Sequence, residues 1–101
     1  MDVEITGRHV DVTQVMRDHI SQHVAKLPRF DGNIQYITVT LALDSGAQFV
    51  EIIAKCHRAD LVAQSKGHDM YRCIEEAFAR MQRQIIRHHD KVTSHKPKAA
   101  Q

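Results

Sequence analysis

The sequence predicts an α+β domain of order β-α-β-β-β-α, a four-stranded mixed sheet with two helices packed on one face. Three observations predict it. Apolar residues recur at helical spacing in two segments, 11–27 and 67–92. They alternate along four short segments, and the last three of these are separated only by turns. The first two strands flank a helix, so their connection makes them a parallel, right-handed pair, whereas the turns make the remaining strands an antiparallel meander.

Each element follows from its residues. "VEIT" alternates and forms the first strand, and "GRH" turns the chain out of it. "DVTQVMRDHISQHVAKL" places Met16, Ile20, Val24 and Leu27 on one helical face, with Asp11 or Thr13 as N-cap and Pro28 just past the end. "FDGN" turns, and "QYITVTLAL" sets Ile37, Val39, Leu41 and Leu43 against Thr38 and Thr40 on the other face. "DSGA" turns again into "QFVEIIAKCH", with Val50, Ile52, Ala54 and Cys56 on one side; "RAD" then leads into "LVAQSK". The closing helix, "GHDMYRCIEEAFARMQRQIIRHHDKV", has Asp69 as N-cap and Ile74, Phe78, Met81, Ile85 and Val92 as its apolar stripe. Both helices therefore cover one sheet face and leave Thr38, Thr40, Glu51 and Lys55 to solvent.

At 101 residues the chain can bury a modest core without disulfides or metal. Residues 1–93 are expected to form one domain, with 94–101, "SHKPKAAQ", as a flexible C-terminal tail. No apolar run reaches the ~18 residues of a membrane span, and "MDVEITGRHV" opens with an acid where a secretory signal starts basic and then apolar. The expectation is a cytoplasmic protein without membrane contact. In that reducing compartment Cys56 and Cys73, which form no CxxC pair, read as small buried hydrophobes.

The formal charge of +2 conceals an asymmetry. Residues 1–79 carry eight Lys or Arg against eleven Asp or Glu, net −3, whereas 80–101 carry six against one, net +5. On a helix wheel Arg80, Arg83, Arg87 and Lys91 fall within roughly an 80° sector, about 135° from the apolar stripe. A solvated face held by ion pairs would space acids three or four residues from each cation, yet Gln82, Gln84, His88 and His89 fill those places. Glu76 alone is spaced to reach Arg80 or Arg83. Repulsion along the stripe is unfavourable unless a polyanion offsets it, and the forked guanidinium suits phosphate. Arg17 and Lys26 flank the first helix on opposite sides, and Arg29 follows it, so a basic groove between or above the helices is expected.

Other chemistry is weakly supported. His19 and His23 have the i, i+4 spacing of metal ligands, but the sequence accompanies them with no third ligand and no general-base Glu, so they read as boundary histidines. His88, His89 and His95 suit adventitious metal only. There is no P-loop, G-x-G-x-x-G, G-x-S-x-G or recognisable carboxylate pair, so neither an enzyme nor a cofactor is expected. Two binding alternatives stay open: a protein-interaction module using the open sheet face around Phe49 and Ile53, and a generic double-stranded RNA binder.

"ITG" at 5–7, Thr13 to Arg17, "AKL" at 25–27, "DMY" at 69–71 and the run "RMQRQIIRHHDK" at 80–91 together resemble the ribosome hibernation family. The likeness spans nearly the whole chain. It is nearest to the short, single-domain hibernation promoting form and is similar to the related ribosome-associated translation inhibitors. The resemblance implies the same fold and a protein lodged on the small ribosomal subunit, against its rRNA, in the channel for messenger RNA and the A- and P-site transfer RNAs. It implies idled 70S ribosomes in stationary phase, inactive ribosome dimers formed together with a ribosome modulation factor, and a monomer off the ribosome. Carried over position by position, the implied RNA-binding residues are Arg17, Lys26, Arg80, Arg83, Arg87 and Lys91, with His88 and Tyr71 beside them. His89 stands where relatives often carry Lys, which makes part of the charge pH-dependent.

Overall fold

The computed structural model describes residues 2–28, 34–57 and 59–93, with backbone only at Val92 and Thr93. The turn expected at 30–33, the side chains of Arg29, Arg58 and Val92, and the tail at 94–101 lie outside the described residues. The elements are β1 (Asp2–Arg8), α1 (Gln14–Ala25), β2 (Ile34–Asp44), β3 (Ala47–Cys56), β4 (Asp60–Gly67) and α2 (Met70–Thr93). The sheet runs β1-β2-β3-β4 in space, with β1 parallel to β2 and both later pairs antiparallel. This is the predicted mixed sheet.

Local chemistry sets the boundaries. Thr13 caps α1, its Oγ1 accepting from Met16 N at 3.1 Å. Asp69 caps α2, its Oδ1 accepting from Tyr71 N at 3.0 Å and Arg72 N at 3.4 Å. Ser45 and Gly46 both have positive φ, 51° and 79°, so a two-residue turn of the kind that matches strand twist joins β2 to β3. Gly7 has a different reason to be glycine. After β1 the chain doubles back through His9, whose φ is 60°. A Cβ on Gly7 would then collide with the Val10 carbonyl and lie 2.9 Å from Val12 Cγ2.

The core is one cluster on one face of the sheet. Ile37, Val39 and Leu41 of β2, Val50, Ile52 and Ala54 of β3, and Ala63 of β4 pack under Ile20 and Val24 of α1 and Ile74, Ala77, Phe78, Met81 and Ile85 of α2. Each large side chain so buried contributes about 1.5–3 kcal/mol of transfer free energy. Cys56 and Cys73 are free and buried, and burial raises both thiol pKa values, so they sit in the core as neutral thiols.

Alternation mispredicts one end of β2. Leu43, expected inward, is 40% exposed, whereas Ala42 is 3% exposed. Leu43 keeps its face but sits beside the hairpin turn, paired with Gln48. Ala42 faces the open side, yet its register partners are Arg8 and Phe49, whose larger side chains shelter it. At the other end a bulge between Ile34 and Tyr36 turns Ile34 inward and starts the strand one residue early.

Candidate nucleic-acid interface

The helix α2 has two flanks with different jobs. One faces α1, and the groove between them is lined by His23, Lys26, Leu27, Glu75, Phe78, Ala79 and Gln82. The other faces β4. That strand is a sheet edge, and its outward carbonyls lack strand partners. Side chains of α2 supply them: Arg80 Nη1 donates to Gln64 O and Gln84 Nε2 donates to Val62 O, each at 2.5 Å.

The cationic stripe lies on the β4 flank. Its members share one sector of the helix, and Arg80 marks where that sector points. Arg83, Arg87 and Lys91 are exposed. The salt bridges His19–Glu75 and Lys55–Asp60 take none of them. Glu76, the acid spaced to neutralise the stripe, is drawn down instead to accept from buried Ser65 Oγ at 2.7 Å. Three neighbouring cations then remain that neither salt bridge engages, with Asp90 as the acid within their run, a surface suited to phosphate.

The other expected site residues are spread over the helical layer. Lys26 caps α1 at its C-terminus and is the only one of them in the inter-helix groove. Arg17 is exposed on the flank of α1 away from that groove. Tyr71 lies in the first turn of α2, edge-on to His19 at 5.3 Å, roughly 30 Å along the helix from Lys91. His88 is half-buried near the C-terminal end. Among the described residues, the lining of the groove between the helices holds Lys26 and an acid, and the stripe lies outside that lining.

The groove holds something spacing alone could not reveal. Glu75 reaches across from α2 to His19, with Nε2 and Oε2 3.7 Å apart. His23 stacks on Phe78, ring centroids 5.3 Å apart and planes 16° apart. Burial lowers the pKa of His23, His19 and Lys26 lower it further, and Glu75 opposes them.

Together these features define a small two-layer α+β domain that presents a cationic helix flank at a sheet edge. Residues 3–93 match the family described as Sigma 54 modulation protein / S30EA ribosomal protein, and the chain belongs to that family. It is 28% identical over 95 residues to the ribosome hibernation promoting factor of Klebsiella oxytoca, covering 94% of this chain and 100% of that one. To the factor of the same name from Azotobacter vinelandii it is 30% identical over 91 residues, 90% of this chain and 85% of that one. The fold matches a ribosomal subunit interface protein from Coxiella burnetii with TM-score 0.82 and 18% identity, over 88% of this chain and 98% of that chain. No helix among the described residues is long and apolar enough to cross a membrane.

Proposed function

We propose that this protein is a ribosome hibernation factor of the short form. Residues 1–93 act as one ribosome-binding domain that lodges on the small subunit, in the channel for messenger RNA and the A- and P-site transfer RNAs. Translation stops by occlusion, with no chemistry, and a partner modulation factor then draws the idle ribosomes into dimers. The observation that carries this reading is the end-to-end similarity to relatives named ribosome hibernation promoting factor, which leaves no segment of the first of them unmatched.

The geometry supplies a physical means. Arg83, Arg87 and Lys91 present excess positive charge from one rigid helix, and Arg17 and Lys26 add charge elsewhere on the same layer. Such contacts read the phosphate backbone and the shape of folded RNA and carry little base specificity. Contacts to about five phosphates release counterions, giving a log-log salt slope of about −4.

Sedimentation with purified small subunits, and separately with free duplex RNA, at two salt concentrations tests this. The expected result is salt-sensitive binding to subunits and much weaker binding to duplex. Equal binding to both identifies a generic double-stranded RNA binder, and salt-indifferent binding identifies a protein-interaction module.

A further inference from the structure

Where α1 packs beside α2, three metal-ligating side chains meet. His19 and His23 stand one turn apart on α1, and Glu75 comes from α2. Ligand atoms of the three, a ring nitrogen from each histidine and a carboxylate oxygen, lie within 4.8 Å of one another. His19 Nε2 is buried and has no hydrogen-bond partner; at 3.7 Å from Glu75 Oε2 it is beyond hydrogen-bond length. A buried ring nitrogen left unsatisfied is unfavourable and calls for an explanation.

The surroundings hold the rings in place. His23 lies flat on Phe78, and His19 is set edge-on between His23, at 4.9 Å, and Tyr71, at 5.3 Å. Aromatic walls of this kind limit ring rotation much as outer-shell hydrogen bonds do in metal sites. Glu75 is exposed and can change rotamer. Ligand atoms about 2.0–2.2 Å from a tetrahedral ion stand roughly 3.3–3.5 Å apart, so closing the triad takes a movement of about 1 Å.

We propose that His19, His23 and Glu75 form a binding site for a divalent transition metal of the zinc type, with three protein ligands and water in the fourth position. Two imidazoles with one carboxylate favour such an ion over magnesium or calcium, which take oxygen. The ion satisfies His19 Nε2, clamps α1 to α2 and reverses the local charge that Glu75 gives the groove. Glu75 stands about 80° and 120° around α2 from Arg83 and Arg87, while Lys26 and Tyr71 border the histidines; metal binding by the free protein does not depend on the proposed function.

Untagged protein stripped with chelator and titrated calorimetrically with Zn²⁺ alone tests the site, with Co²⁺ as a spectroscopic stand-in. The expected result is about one tight equivalent and the intense visible bands of four-coordinate cobalt. Glu75→Ala changes only an exposed side chain and weakens binding by at least about tenfold, while the ion raises the melting temperature of the parent more than that of the variant. His88→Ala with His89→Ala and His95→Ala, which removes the histidines of the C-terminal sequence, leaves the tight equivalent in place. Zinc affinity unchanged by Glu75→Ala, or lost on removing the C-terminal histidines, overturns the proposal, as does the absence of any tight equivalent.

Discussion

His23 couples the inter-helix groove to pH. Its folded-state pKa lies below the ordinary value of 6.5, because burial and then the neighbouring His19 and Lys26 disfavour the cation. The unfolded chain therefore binds a proton more readily than the folded one across the interval between the two values. Stability is fully present above about pH 6.5 and falls as pH drops through the folded pKa. Urea midpoints measured at metal-free pH 7.5 and 5.5 are expected to show this loss, and His23→Gln is expected to reduce the difference. Gly7 is constrained by space instead. Gly7→Ala pushes a methyl group against the Val10 carbonyl, and a cost of about 1–3 kcal/mol in denaturant-derived stability is expected.

Within α2 the two flanks separate stability from binding. Arg80 and Gln84 close the exposed edge of β4, so part of the stripe serves the fold. Arg80→Ala is expected to lower stability by about 0.5–1.5 kcal/mol through the lost bond to Gln64 O. Arg83→Ala, with no such contact, stays within about 0.5 kcal/mol of the parent in the same urea titration. Their effects on ribosome association are expected in the reverse order, because Arg83 keeps its guanidinium free for phosphate. A stripe acting only as a solvated face would give no such reversal.

The fold was legible because its signals are local: a capping threonine at Thr13, a capping aspartate at Asp69, strict alternation in β3, and a Ser-Gly turn each fix an element without reference to the rest. Leu43 and Ala42 escaped, since their exposure depends on the nearby hairpin turn and on cross-strand neighbours, which alternation does not encode. Of the candidate site, the clustering of Arg83, Arg87 and Lys91 followed from helical phase. Which flank of α2 meets α1 did not. That choice sends Arg80 toward β4, diverts Glu76 to Ser65 and brings Glu75 to the histidines. His19 and His23 announced half of their cluster by spacing; the other half is tertiary.

The charge of α2 marks the surface proposed to meet the ribosome, and a single variant probes it. Arg83→Glu with Arg87→Glu changes exposed side chains only, and its circular dichroism and urea midpoint are expected to stay near those of the parent. Each charge-assisted contact to phosphate is worth about 1.5–3 kcal/mol, so losing two is expected to weaken small-subunit binding by about 100-fold or more. Co-sedimentation of the folded double variant with small subunits is the direct measurement: disappearance from the ribosomal pellet is the predicted result, and recovery at the parent level contradicts the account.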